Sequence, residues 1–330
     1  MKEAKTRNSG IELLRVILMF GICMCHSVGA GGHIWAPLRN VCMMCTVGFI
    51  FITGWFGIHF SLKRIAKLLG IALFALGVVC LEDLCVNGEL TENPAKRMFQ
   101  WWFLNAYVAL IILSPILNSI VACLVSTDAK LRREAFMSVV LICCSIYAIA
   151  WPMHCHWMPR IGFFLTIGCP CQFGTICAIY LAARTIRACG VIDRIHFAIP
   201  AICLVCSIGL AMYSHKFSYY NSPVDLLFSA SLFYFFYRRE LNSDKVRSFV
   251  YLVAPSMFFV YLYHSHGNPG FEILRLFQTW LVDNGMPVPL GWIITAIVIF
   301  VLGVALDFIR RIGIACMVTF NARVHDRAVP

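Results

Sequence analysis

Charge is scarce in this chain, and acidic charge is scarcest. Only 13% of the 330 residues are charged, with 16 Asp and Glu against 27 Lys and Arg, where a water-soluble domain carries about 25%. A soluble fold is excluded on that ground, because 60% of the residues are hydrophobic and the mean hydropathy is +0.80. Too few polar side chains remain to clothe a surface in water. No stretch is polar and long enough for a second domain, so residues 1–330 read as a single unit. Internal repeats and low-complexity tracts are lacking as well. So is an inverted pair of Gly/Pro-broken apolar segments, the best sequence pointer to a secondary transporter.

What fills the chain instead is a series of apolar runs of roughly 18 to 22 residues between Ile11 and Phe308, the length set by a hydrocarbon core about 30 Å thick. In lipid such runs are helices, since every backbone N–H and C=O needs an internal partner. The fold class expected is all-α, a polytopic integral membrane bundle of about ten transmembrane helices. They fall near 11–30, 41–60, 65–84, 100–123, 135–152, 161–183, 197–214, 223–237, 249–266 and 289–309. Lys and Arg in alternate connections number 20 on one side, from Lys2, Lys5, Arg7 and the clusters 63–67, 130–133, 184–194, 238–247 and 310–327. The other side holds 6, namely Arg39, Lys96, Arg97, Arg160, Lys216 and Arg275. The positive-inside rule then puts both termini in the cytoplasm of a multi-pass protein of the cell's inner membrane. The same placement argues against nucleic acid as the partner of a +11 chain, because the basic residues mark helix ends rather than a patch. The external connections 85–98 and 267–288 are the longest and carry Gly, Pro and Asn turn chemistry.

The 17 cysteines do not suggest a disulfide framework. Cys23, Cys25, Cys80, Cys143, Cys144, Cys203 and Cys206 lie inside apolar runs, where Cys packs as a small hydrophobe. Cys42 and Cys45 form a CxxC without a second pair, and His154 and His156 flank Cys155 in a turn. Neither pattern completes a metal site, and no metal is expected. The basic start and the Val28-Gly29-Ala30 stretch imitate a signal peptide. A removable apolar core has no use for Glu12, Arg15 and His26, so the segment is read as the first membrane helix.

Those three residues are the informative ones, because ionisable groups inside a membrane are costly and are functional candidates by default. At 3.6 residues per turn Glu12, Arg15, Met19, Ile22 and His26 share one face. Arg15 and His26 lie roughly 16 Å apart along the axis, comparable to an extended pantetheine arm. The alternative is an interfacial Glu12–Arg15 pair with His26 bonded to a neighbouring helix.

Residues 7–27, RNSGIELLRVILMFGICMCHS, resemble the opening helix of the acyltransferase family 3 proteins, whose hallmark is an Arg and, after ten intervening residues, a His. Arg15 and His26 match it. VGFIFITGWFGI at 47–58 resembles the family's Phe-rich second segment with Thr53 in place of the usual Ser. WWFLNAYVALIILSPILNSIV at 101–121 resembles its fourth helix, with Trp102, Asn105, Tyr107, Ser114 and Asn118. FFVYLYHSH at 258–266 resembles its Tyr-Leu-x-His segment, with Tyr261 and His264. The resemblance spans nearly the whole chain and implies a stand-alone membrane O-acyltransferase. Its donor is then acyl-CoA, acetyl-CoA first, as a substrate rather than a bound cofactor. Its acceptor is a hydroxyl of a cell-envelope or exported glycan or glycolipid, and its surroundings are membrane lipids. Nothing in the sequence bears on oligomeric state. His26 is then the general base or acyl carrier, with Glu12 in support. Arg15, Lys63, Arg64 and Lys67 are candidates for the CoA phosphates, the last three being more readily explained as positive-inside anchors. Tyr107, Ser114 and Asn118 fall on one stripe, binding acceptor or joining helices, and Pro115 kinks the wall beside them. His264 has either a direct role or a structural hydrogen bond. The competing readings are a transporter or flippase for an envelope precursor and a membrane sensor or scaffold.

Overall fold

The computed structural model of the chain describes residues 7–28, 36–154, 170–218, 222–264 and 269–328, and among these the regular structure is helical. The order is α1 (Ser9–Val28), α2 (Ala36–Met43), α3 (Cys45–Phe56), α4 (Leu62–Asn87), α5 (Pro94–Gln100), α6 (Trp102–Leu124), α7 (Ala129–His154) and α8 (Pro170–Ala188). There follow α9 (Val191–Arg194), α10 (Ala198–Tyr213), α11 (Pro223–Tyr237), α12 (Asp244–Val253), α13 (Met257–Tyr263), α14 (Pro269–Asp283) and α15 (Val288–Ala328). Among the described residues, α1, α2 with α3, α4, α6, α12 with α13, and α15 are long and apolar enough to cross a bilayer, and α10 and α11 are shorter apolar helices. The chain is a multi-pass membrane protein.

Two expected continuous spans are interrupted. Met44 breaks the second, and a 3-10 turn, Ala254–Ser256, containing Pro255 breaks the ninth. The two long connections also hold helix. Asn93 caps α5 by accepting from the Ala95 N–H. In α14 Ile273, Leu276 and Trp280 are exposed while Gln278 is buried, and this mixture yields no uniform apolar run. Residues 155–169, which include the expected start of the sixth span and His156, lie outside the described residues, as do the side chain of His154 and all of His266.

Helix α1 is the axis of the bundle. It packs against α2, α3, α11, α12, α13 and α15, burying Ile11, Leu14, Leu18, Ile22 and Cys23. Its start is fixed in place by close backbone approach, since a Cβ on Gly10 would lie 2.1 Å from the Phe236 carbonyl and 2.2 Å from that of Arg239. Asn8 donates to the Tyr237 carbonyl at 3.1 Å, the Leu241 N–H donates to Ser9 Oγ at 2.9 Å, and the Tyr251 hydroxyl donates to the Arg7 carbonyl. Helices α3 and α8 also approach closely at Gly54, where a Cβ would lie 2.7 Å from the Tyr180 carbonyl. Arg187 of α8 donates to the Trp55 carbonyl at 2.7 Å, satisfying one of the orphan groups at the end of α3.

The α4–α5 connection closes on an ion pair. Arg97 Nη2 meets Asp83 Oδ2 at 2.8 Å with both side chains almost fully buried. Asn87 and Thr91 donate to the other Asp83 oxygen at 3.2 and 2.9 Å. A buried charge needs this completeness of partners to be tolerated. Cys23, Cys25, Cys42, Cys45 and Cys177 are buried free thiols, but Cys144 and Cys206, also expected to pack inside, face outward. An apolar run marks depth in the membrane and not which side of the helix meets protein.

Candidate active site

A cavity of about 260 Å³ runs along α1. Arg7, Arg15, Met19 and Ile22 form one wall, with Thr46, Phe49, Ile52 and Thr53 of α3 facing them and Leu68 of α4, Phe103 and Tyr107 of α6 alongside. The interrupted ninth span closes it with Ala254, Pro255, Met257, Phe258 and Tyr261. The 3-10 turn at Pro255 is intelligible there: irregular backbone inside a membrane is tolerated where it lines a cavity. Arg311 supports the turn, donating to the Leu252 carbonyl at 3.2 Å and Ser256 Oγ at 3.0 Å, and it pairs at 3.2 Å with buried Asp307.

One end of the cavity is cationic. Glu12, buried on α1, accepts from Arg15 Nη1 at 2.9 Å and lies 3.4 Å from Arg7 Nε through the same oxygen. Two guanidiniums share one carboxylate, so this end keeps a net positive charge facing the cavity. Arg7 also lies over the Tyr251 ring, 5.9 Å from its centroid. Sequence reading counted Arg7 only as a topology marker, because its place in the cavity depends on the fastening of α1 to the α11–α12 connection.

Outside the cavity wall stand two imidazoles. His26, one turn beyond Ile22, meets His264 edge to face with ring centroids 4.8 Å apart. His264 is buried, and its Nδ1 lies 2.6 Å from the Val260 carbonyl. A carbonyl only accepts, so Nδ1 carries the hydrogen, and in the neutral ring Nε2 is left as the basic atom. Tyr261 joins the pair to the cavity. Its ring centre is 6.0 Å from that of His264, and its hydroxyl accepts from the Phe103 N–H at 3.2 Å. Neither His26 nor His264 is part of the cavity wall, whose members nearest to them along the chain are Ile22 and Tyr261.

A model of the acyltransferase domain, that of acyltransferase family 3, matches residues 8–309. The chain belongs to this family. No curated protein and no solved structure matches it. It is therefore an acyltransferase embedded in a membrane through several helices.

For this acyltransferase the remaining sequence candidates divide by where the packing puts them. Thr53 and Tyr107 face the cavity; the Thr53 hydroxyl donates to its own helix at Phe49, 2.8 Å away, and Tyr107 stacks on Phe103 at 6.0 Å. Ser114 and Asn118 do not share that surface. Pro115 has no N–H to give the Ile111 carbonyl, and the Ser114 hydroxyl donates to that carbonyl at 2.7 Å instead. Asn118 donates to the Ile58 carbonyl at 2.7 Å and accepts from the Tyr180 hydroxyl at 2.7 Å, locking α6 to α8 and the end of α3. Asn105 donates to the Phe99 carbonyl across the α5–α6 junction, and Trp102 lies edge-on to Phe103 at 5.7 Å. Lys63, Arg64 and Lys67 are exposed on the first turns of α4 and form no part of the cavity wall, although Leu68 beside them does. Seven-residue spacing predicts a shared stripe, but each member of it has a separate partner, within α6 for Tyr107 and Ser114 and across helices for Asn118.

Proposed function

We propose that this acyltransferase transfers an acyl group, acetyl in the first instance, from acyl-CoA to a hydroxyl of a cell-envelope or exported glycan, with His26 as the transfer residue. The observation that carries the reading is the layout of the cavity. A net positive end at Arg7 and Arg15 opens onto a largely apolar space that follows α1 as far as Ile22, one turn short of the His26–His264 pair, with Arg15 and His26 roughly 16 Å apart along the axis. Phosphates suit the positive end and a thioester the apolar space, where exclusion of water protects it from hydrolysis.

In the reaction the acceptor oxygen attacks the thioester carbonyl carbon, the C–O bond forms and the C–S bond breaks. His26 takes the hydroxyl proton, and the CoA thiolate leaves and is protonated. An acylated His26 that passes the group on in a second step uses the same residue. His264, with Nδ1–H spent on Val260, has Nε2 as its basic atom and assists from beside the His26 ring. The proposed topology has ten crossings with both termini in the cytoplasm of the inner membrane, so that Arg15 faces a cytoplasmic donor and His26 an acceptor on the far side.

The test is transfer of radiolabelled acetyl from acetyl-CoA to envelope extract by purified protein. His26→Gln keeps a hydrogen-bonding side chain but is a negligible base and carries no acyl group. It is expected to lose about 10²-fold or more of the transfer rate while inserting normally. Near-normal acetylation by that variant would falsify the assignment.

A further inference from the structure

Two contacts outside the cavity reach the residues that stand beside the paired histidines in the chain. Ser27 follows His26, and its carbonyl accepts from Gln278 Nε2 at 3.3 Å. Tyr263 precedes His264, and its hydroxyl donates to Glu82 Oε1 at 2.9 Å. Helix α14 is party to both. Gln278 belongs to it, and in its first turn the Gly270 N–H donates to the Glu82 carboxylate, an anion placed where a helix N-terminus favours one. The junction is close: a Cβ on Gly270 would lie 2.8 Å from Glu82 Oε2 and 2.9 Å from the Tyr263 hydroxyl. Gln278 is only 5% exposed, so its bond to Ser27 is shielded from competing water.

We propose that Glu82 and Gln278 are positioning residues, which fix α14 as a strap across the C-terminal ends of α1 and α13 and so hold His26 and His264 at their observed separation. The inference rests on the reading of that histidine pair as the transfer site. Glu82 grips α13 one residue before His264, and Gln278 grips α1 one residue after His26. Neither side chain lines the cavity. Donor binding at Arg7 and Arg15 is therefore indifferent to them, whereas the geometry of the reacting end is not. A displacement on the order of 1 Å at a reacting group costs up to about 10²-fold in rate.

The experiment is steady-state transfer from radiolabelled acetyl-CoA to envelope extract by the purified full chain, with kcat and donor KM resolved. Glu82→Ala and Gln278→Leu are expected to lower kcat by about 10- to 100-fold with donor KM within about 2-fold of wild type. Glu82→Gln keeps an oxygen that accepts from both Tyr263 and Gly270, and is expected to restore kcat to within about 2-fold. Gly270→Ala presses a methyl against the carboxylate and the Tyr263 hydroxyl while leaving both groups chemically unchanged, and is expected to behave like Glu82→Ala. The proposal is overturned if Glu82→Ala and Gln278→Leu keep wild-type kcat while His26→Gln is inactive, or if Glu82→Gln is as impaired as Glu82→Ala. Should an alanine variant fail to accumulate, Tyr263→Phe removes a single hydroxyl and decides the matter, unchanged kcat overturning the strap. An active His26→Gln instead removes the transfer site itself, an outcome distinct from failure of the strap alone.

Discussion

Replacing Arg15 by Ala separates two jobs that the structure gives to one side chain. Arg15 is half-buried at the cationic end of the cavity and donates to Glu12 at 2.9 Å. A charge-assisted hydrogen bond from it to a donor phosphate is worth about 1.5–3 kcal/mol, and each 1.4 kcal/mol is a factor of ten. Donor KM should therefore rise about 10- to 150-fold. Arg15 lies three turns from the reacting end, so the lost interaction is common to ground and transition states, and kcat at saturating donor should stay within about 2-fold. The second job appears in stability. Without Arg15 the buried Glu12 carboxylate keeps only Arg7 at 3.4 Å, and its other oxygen already has no hydrogen-bond partner among the described residues. An under-partnered buried group costs about 1–3 kcal/mol. Neutralising it in Glu12→Gln/Arg15→Ala should return the thermal midpoint toward wild type and leave the raised donor KM as it is. The midpoint can be followed with a thiol-reactive dye, because Cys23, Cys42, Cys45 and Cys177 are buried in the folded chain. Initial rates of radiolabelled acetyl transfer over a range of acetyl-CoA concentrations give KM and kcat. A donor KM within 2-fold of wild type in Arg15→Ala, with the midpoint lowered, would show that Arg15 serves Glu12 alone and refute its role in donor binding.

Two further expectations concern the scaffold. Asp83→Ala strands the buried Arg97 guanidinium and should destabilise by about 3–5 kcal/mol, whereas Asp83→Ala/Arg97→Met should recover much of the loss. Equal midpoints for single and double variants would remove the pair as an obligate unit. Reporter fusions at Asp128, Gly190 and Ser243 should report the cytoplasm and those at Leu90 and Gln278 the opposite side, and an external signal at any of the first three breaks the proposed topology.

Sequence alone carried the membrane class, because lipid leaves an apolar run of twenty residues no conformation other than helix. It also carried the shared face of Glu12, Arg15 and His26, since periodicity within one helix is a local property. Arg15 and His26, the α1 residues of the proposed site, were legible for that reason. The opposite wall was not. His264 matched a motif, but its edge-to-face approach to His26 depends on α1 and α13 packing together from opposite ends of the chain. The stripe of Tyr107, Ser114 and Asn118 was read from spacing, yet only Tyr107 reaches the cavity. Pro115 claims Ser114, and Tyr180 with Ile58 claims Asn118. Arg7 counted as a topological charge until the fastening of α1 to Tyr237, Leu241 and Tyr251 brought it to the cavity. Spacing fixes which side chains lie on one side of a helix. Which neighbour that side meets is settled by close backbone approach at residues such as Gly10 and Gly54 and by hydrogen bonds between distant segments, and these depend on the shape of the whole bundle rather than on any local pattern.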